Sequence, residues 1–77
     1  MRLISQNGTM DIPYESVSIY ADMGSIYAKS RVENNSVRIG LYSSQNKALK
    51  VMKMIQENYG GRYTSLYFKL PYEAEVK

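Results

Sequence analysis

The fold is decided by residues 37–52, which read VRIGLYSSQNKALKVM. Apolar and polar side chains alternate up to Tyr42, so that Val37, Ile39 and Leu41 share one side. Beyond Ser43 the spacing of apolar residues changes from two to about 3.6 residues, the period of a helix. The chain is therefore expected to pass from a strand into a helix at this point.

The predicted helix covers residues 44–59. Ser43 or Ser44 is expected to cap it, because a serine hydroxyl can accept a hydrogen bond from a free N–H of the first turn. Its apolar stripe consists of Ala48, Met52, Ile55 and Tyr59, with Leu49 and Val51 on the flanks. Gly60-Gly61 is expected to end the helix, with one glycine in the left-handed conformation.

Two more alternating segments precede the helix, at residues 16–22 and 26–32. The first is followed by the turn Met23-Gly24-Ser25, and the second by the polar turn at residues 33–36. Residues 16–42 are therefore predicted to form an antiparallel meander of three strands.

The two ends of the chain add further strands. Residues 1–12 are predicted to form a hairpin around Asn7-Gly8, the dipeptide typical of two-residue type I′ turns, and Pro13 ends it. Residues 65–70 are predicted to be the last strand, with Leu66, Phe68 and Leu70 facing inward. Residues 71–77 are expected to be a short, frayed, charged tail.

Together these elements predict one α+β domain over residues 1–77, an antiparallel sheet of five to six strands with a single helix on one face. A small curled barrel with the helix at one end is the alternative. Leu3-Ile4 or residues 66–70 are the expected edge of the sheet. A chain this short buries only about 60% of its unfolded surface, so pairing with another copy would add stability.

Composition excludes several kinds of chemistry. The chain has 77 residues and a net charge of +3, with eight Tyr, one Phe, and neither Cys nor His. Without Cys and His it has no disulfide scaffold, no thiolate nucleophile, no imidazole base and no imidazole or thiolate metal ligand. The seven carboxylates show no metal-binding spacing, and no glycine pattern matches a phosphate loop. We expect no enzymatic activity, no cofactor and no metal.

The amino terminus shows no signal-peptide pattern, and no apolar run approaches the about 18 residues of a membrane span. A cytoplasmic protein that does not bind membranes is therefore expected.

One predicted surface carries a possible function. If the apolar side of the sheet faces the helix, the opposite side collects four tyrosines and four cations. These candidate binding residues are Tyr20, Tyr27, Lys29, Arg31, Arg38, Tyr42, Tyr67 and Lys69.

Such a surface has three interpretations. It can be structural only, because tyrosines and long cations suit open sheet faces. It can bind a protein, since Tyr and Arg are enriched in interfaces, and a second copy of the chain is one candidate partner. It can also bind single-stranded nucleic acid by stacking bases on the aromatic rings. The third has less support, because Asp22 and Glu33 lie at the turns and no ribonucleoprotein-type aromatic motif is present.

Two segments resemble a known family. They are Met1-Arg2-Leu3-Ile4-Ser5-Gln6-Asn7-Gly8 through Asp11-Ile12-Pro13-Tyr14-Glu15, and Leu41-Tyr42-Ser43-Ser44 followed by Lys47-Ala48 and Met52. They are similar to short uncharacterised proteins encoded by phages, prophages and mobile elements of low-GC Gram-positive bacteria. The resemblance implies a bacterial or phage origin and cytoplasmic expression. It implies no activity, no cofactor and no catalytic residue. Together with the candidate surface, it leads us to expect a small, non-enzymatic interaction module.

Overall fold

The computed structural model describes residues 1–60 and 66–76. In these residues the chain forms six strands and one α helix, with two short 3₁₀ turns at Tyr14–Ser16 and Glu73–Glu75. The strands are β1 (Arg2–Ile4), β2 (Asp11–Pro13), β3 (Val17–Asp22), β4 (Ser25–Ser30), β5 (Ser36–Leu41) and β6 (Tyr67–Lys69), and the helix is α1 (Gln45–Gly60). The α+β class and the single helix of the sequence prediction are confirmed for this part of the chain.

The strands form two sheets of three, with the orders β2-β1-β6 and β3-β4-β5. The predicted single antiparallel sheet is therefore wrong, and in the described residues the strands do not close into a barrel either. β6 runs parallel to β1, with Leu3 opposite Phe68. Parallel pairing requires a long connection, and the meander and α1 supply it. This central position of β1 also corrects the expectation that Leu3-Ile4 could form a sheet edge, whereas β6 is an edge.

The amino-terminal hairpin is present, but its turn differs from the predicted one. Ile4 lies opposite Asp11, so the loop spans residues 5–10 rather than Asn7-Gly8 alone. The Asn7 carboxamide oxygen accepts hydrogen bonds from the Thr9 N–H at 3.1 Å and from the Ser5 hydroxyl at 2.8 Å. These side-chain bonds stabilise a longer loop, in which Gly8 has a φ of 77°.

The two-residue turn occurs instead between β3 and β4. Met23 and Gly24 have φ values of 49° and 86°, as a type I′ turn requires. A Cβ on Gly24 would lie 2.5 Å from the Tyr42 carbonyl oxygen. The Gly24 N–H donates to Gln45 Oε1 at 2.8 Å, and the Gly24 carbonyl accepts from the Tyr42 N–H at 2.8 Å. The turn is therefore fixed to the junction of β5 and α1.

β4 ends at Ser30, two residues before the predicted end at Val32. The Ser30 hydroxyl accepts hydrogen bonds from the N–H groups of Val32 and Glu33, which favours a turn over a continued strand. Arg31 and Val32 are consequently exposed turn residues.

β5 contains a β-bulge at Ile39. Ile26 pairs with Gly40 and Tyr27 pairs with Arg38, which leaves Ile39 as an extra residue. The bulge reverses the alternation that the sequence predicts beyond this point. Leu41 is 51% exposed although it was predicted to face inward, and Tyr42 is only 3% exposed although it was predicted to face outward.

Both sheets and the helix share one core. α1 packs mainly on β3 and β4. The buried apolar residues are Leu3, Ile26, Ala28, Ile39, Tyr42, Ala48, Val51, Ile55, Leu70 and Val76. Ala48 and Ile55 of the predicted stripe are buried, whereas Tyr59 is exposed and Val51 takes a central place. The core therefore lies between α1, the meander and the inner side of β1.

The prediction that Leu66 faces inward is also wrong, because its side chain is 87% exposed. β6 begins only at Tyr67, and the Leu66 carbonyl accepts a hydrogen bond from the Arg2 N–H at 2.9 Å. Val37, which was also predicted to face inward, is exposed. Phe68, predicted to face inward, is half-buried. The predicted starting residue Ser65, the second stop glycine Gly61 and Lys77 lie outside the described residues.

Gln6 joins the two sheets. Its N–H donates to the Ile39 carbonyl at 2.8 Å, and its carboxamide accepts from the Leu41 N–H at 2.9 Å. The amide nitrogen of the same side chain donates to the carbonyls of Leu41 and Pro71, each at 3.2 Å. One residue of the first hairpin thus covers the outer edge of the bulged strand.

The carboxyl-terminal segment, predicted to be frayed, is docked as far as Val76. Val76 is buried, and the Glu73 carboxylate accepts hydrogen bonds from the Ser43 N–H and from the Lys47 ammonium. The hydrogen bond from Lys47 is the main cause that lowers the pKa of Glu73 below its ordinary value. Glu73 therefore holds this segment against the start of α1.

Gly40 provides a test of this packing. A Cβ at position 40 would lie 2.9 Å from Leu70 Cδ2 and 3.1 Å from Tyr42 Cε2, both buried side chains. We predict that Gly40→Ala lowers the free energy of unfolding by about 1–3 kcal/mol, as overpacking does.

The matched control is Gly60→Ala, because a Cβ there meets no atom within 4 Å. Urea denaturation of both variants measures the difference. Equal unfolding midpoints for the two variants would contradict the bulged arrangement of β5.

Candidate interaction surface

Four of the eight predicted site residues lie together. They occupy the outer side of the β3-β4-β5 sheet, away from α1, and we call them the outer face: Tyr20, Tyr27, Lys29 and Arg38. All four come from the part of the meander that precedes the bulge, where the strict alternation of the sequence holds. The other four predicted residues lie elsewhere.

A stacked pair of tyrosines forms the centre of the outer face. Tyr20 and Tyr27 are directly opposite each other on β3 and β4, and their ring centroids are 5.1 Å apart at an interplanar angle of 19°. The Tyr20 hydroxyl donates to Ser36 Oγ at 3.0 Å. This bond reaches across to β5 and fixes the orientation of the ring. Cross-strand aromatic pairs of this kind stabilise a sheet by roughly 0.2–1 kcal/mol.

Two cations flank the tyrosine pair. Arg38 lies opposite Tyr27, and Lys29 lies opposite both Ser18 and Ser36. Among the residues that the structure describes, neither cation forms an ion pair. The outer face therefore combines a stacked aromatic pair with cations that form no ion pair.

Tyr42 is not on the outer face. Its ring is buried in the core, and its hydroxyl donates to the Pro71 carbonyl at 2.7 Å. Burial, and next the negative charges of Glu73 and Glu75, raise the pKa of Tyr42 to about 12. The cause of the wrong prediction is the bulge at Ile39, which a strict alternation of two cannot show.

Tyr67 and Lys69 lie on β6, which belongs to the other sheet. Tyr67 is exposed. Lys69 Nζ is 4.0 Å from the centroid of the Tyr72 ring and donates to the Gln6 carbonyl at 3.1 Å. Lys69 thus helps to hold the carboxyl-terminal segment and the first loop together.

Arg31 lies in the turn after β4 and lines a cleft of about 410 Å³ between β3 and the second half of α1. The apolar part of this cleft comes from Val17, Ile19, Met52 and Ile55, and its rim includes Tyr14 and Tyr59. The rings of Tyr14 and Tyr59 are 4.8 Å apart. Sequence reasoning missed the cleft, because it depends on the path of α1 across the sheet and not on any local pattern.

Glu15 also borders the cleft, and its charge is compensated. Its carboxylate is 2.6 Å from the amino-terminal nitrogen of Met1. This hydrogen bond is the main cause that lowers the pKa of Glu15 below its ordinary value. Arg31 is therefore the side chain that gives the cleft its charge.

Within residues 1–60 and 66–76, no group of three or more acidic side chains could hold a metal ion, and no helix is long and apolar enough to span a membrane. Comparison with known proteins finds no matching family model, curated protein or solved structure.

Tyr42 gives a pH-dependent prediction. Its pKa is about 12 in the folded chain and about 10 when unfolded, so the stability that its neutral form contributes is present below pH 10 and is lost as the pH rises toward 12. We predict that urea midpoints of the wild-type chain fall more steeply between pH 10 and pH 12 than those of Tyr42→Phe.

At pH 8, where Tyr42 is neutral, Tyr42→Phe is expected to be less stable than the wild-type chain by about 1 kcal/mol, because it loses the hydrogen bond to the Pro71 carbonyl. The Pro71 carbonyl keeps its bond from Gln6, which limits the loss. Parallel pH profiles for the two proteins would show that the Tyr42 hydroxyl is not buried.

Proposed function

We propose that the chain is a small, non-enzymatic interaction module that binds a protein through the outer face. The observation that carries this proposal is the stacked pair of Tyr20, which is exposed, and Tyr27, which is half-buried, between the cations Lys29 and Arg38. Neither cation has an ion-pair partner among the described residues.

The geometry favours a protein partner that presents carboxylates. Tyr and Arg are enriched at binding hot spots, because they bury large contact areas and donate directional hydrogen bonds. Lys29 and Arg38 would pair with acidic side chains of the partner, while the tyrosine pair contacts apolar surface between them. Electrostatic complementarity of this kind speeds association and selects the partner.

Single-stranded nucleic acid is the second candidate. It receives less support, because the four-tyrosine surface predicted from the sequence is reduced to two rings. Tyr42 is in the core, Tyr67 belongs to the other sheet, and the two remaining rings stack on each other. A platform for bases requires ring faces that are free to stack.

The phage or prophage origin implied by the family resemblance, and action in the bacterial cytoplasm, are parts of the same proposal. A small module of this kind would act on a host or phage protein by contact. Its place among neighbouring phage genes would indicate which stage of the phage cycle it serves.

The proposal is tested by photo-crosslinking in bacterial cells. Benzoylphenylalanine is placed at position 18, on the outer side of β3 opposite Lys29, or at position 53 on the exposed side of α1. The expected result is one protein adduct of defined mass at position 18 and none at position 53. The adduct is identified, and the partner is then purified for titration.

In the titration, Arg38→Glu is expected to weaken binding by about tenfold or more, because it places a carboxylate against the acidic patch of the partner. Lys53→Glu is the matched control, with the same change of charge on the far side of the molecule, and should alter the affinity by less than about twofold. Equal effects of the two variants, or the absence of an adduct specific to position 18, would refute the proposal. So would binding of a single-stranded 20-nucleotide DNA that falls steeply with salt and is lost in Arg38→Glu.

A further inference from the structure

The cleft between β3 and α1 is lined by residues other than those of the outer face. α1 runs antiparallel to β3, because Gln45 at the start of the helix donates to the Ala21 carbonyl, whereas the ring of Tyr59 near its end contacts Tyr14, just before β3. The cleft lies at the tyrosine end, between the first half of β3 and the second half of α1. Its volume of about 410 Å³ is near the lower limit of the roughly 300–1,000 Å³ that small-molecule sites occupy, so it is sized for a small ligand.

Both walls of the cleft contribute apolar surface that the chain leaves partly open. Val17 and Ile19 come from β3 and Met52 comes from α1, and each of these three residues is half-buried. Ile55 of α1 is buried and completes the apolar lining. A methionine thioether and the tyrosine rings at the rim both make favourable contacts with aromatic rings. The lining therefore favours an aromatic ligand over an aliphatic one.

The charge of the cleft favours an anion. Arg31 lines it, is exposed, and forms no ion pair among the residues that the structure describes. Glu15, the other charged residue of the lining, is compensated by the Met1 ammonium at 2.6 Å. The hydrogen bond from that ammonium is the main cause that lowers the pKa of Glu15, and the charge of Arg2 adds a smaller effect. An anionic ligand therefore meets the Arg31 guanidinium, while its repulsion by Glu15 is reduced.

One guanidinium matches a carboxylate better than a phosphate ester. A guanidinium donates two parallel hydrogen bonds to a carboxylate, and its single charge balances the single charge of that group. The second negative charge of a phosphate ester would meet no further cation among the described residues of the lining. Gln56, exposed on α1 and part of the same lining, supplies a neutral carboxamide that can donate one more hydrogen bond.

We propose that this cleft binds a small aromatic carboxylate, with the carboxylate on Arg31 and the ring against Ile19 and Met52. This inference goes beyond the proposed function and uses different residues. The apolar walls hold the ring, and the single uncompensated charge selects an acid over an amide or an amine. The ligand is a free small molecule, because the cleft is too small for more than one or two rings.

The test is a titration of the ¹⁵N-labelled chain with 3-phenylpropionate, followed by the chemical shifts of the backbone amides. The expected dissociation constant is about 1 mM, as the ligand efficiency of small molecules allows. Saturable shift changes are expected to concentrate on the residues that line the cleft, namely Val17, Ile19, Arg31, Met52 and Gln56.

Two matched ligands separate the contributions of charge and ring. 3-Phenylpropionamide keeps the ring without the charge and is expected to bind about fivefold more weakly or worse. 3-Cyclohexylpropionate keeps the charge without the aromatic ring and is expected to bind about threefold more weakly. Binding of either analogue as tight as that of 3-phenylpropionate overturns the proposal.

Variants assign the charge to one residue. Arg31→Gln is expected to weaken 3-phenylpropionate about fivefold and to leave the amide analogue unchanged, whereas Arg31→Lys should retain part of the affinity. Gln56→Glu places a carboxylate in the opposite wall and is expected to weaken the acid but not the amide. Lys53→Gln, which removes a positive charge outside the cleft, is the control and should leave both affinities unchanged. The amide spectrum of each variant verifies that it is folded.

Three results would overturn the proposal. The first is the absence of saturable shifts at the cleft up to about 20 mM 3-phenylpropionate, far above the expected dissociation constant. The second is an equal loss of affinity in Arg31→Gln and Lys53→Gln. The third is a set of shifts centred on the outer face instead of the cleft. None of these results depends on whether the outer face binds a protein, so the two proposals stand or fall separately.

Discussion

One extra residue in β5 determines which side chains form the core. Because Ile39 is unmatched in the ladder, Ile39, Gly40 and Tyr42 are buried while Leu41 is exposed. The inward Tyr42 hydroxyl then binds the Pro71 carbonyl. The backbone that the bulged strand exposes is bonded by Gln6 of the first hairpin, so the same irregularity joins the two sheets. A chain of 77 residues has little core to spare, and this one is completed by docking the carboxyl-terminal segment.

Local pattern was sufficient for part of the fold and not for the rest. The strands β3 and β4 and the helix α1 follow from periodicity, which each segment carries in its own residues. The bulge depends on partners distant in the sequence, namely Gln6 and Pro71, and a period of two cannot indicate it. The parallel pairing of β6 and the docking of Glu73 on Lys47 likewise depend on contacts made only after the chain has crossed the molecule.

The candidate site divides in the same way. Tyr20, Tyr27, Lys29 and Arg38 were predicted together because they precede the bulge, where alternation holds. Tyr42 lies beyond it and is buried. The cleft beside β3 could not be predicted, because it arises where α1 crosses the sheet.

The most direct test of the bulged core is a nuclear Overhauser experiment on the Tyr42 ring protons of the wild-type chain. The bulged strand predicts cross-peaks from this ring to the methyl groups of Leu70, because Leu70 Cδ2 and Tyr42 Cε2 lie 2.9 Å and 3.1 Å from the position of a Cβ on Gly40. A regular strand would instead direct the Tyr42 ring to the outer side of the sheet, away from Leu70, and would place the Leu41 methyl groups in the core. Cross-peaks from the Leu41 methyl groups to core side chains, with none between the Tyr42 ring and Leu70, would contradict the bulge, and with it the joining of the two sheets.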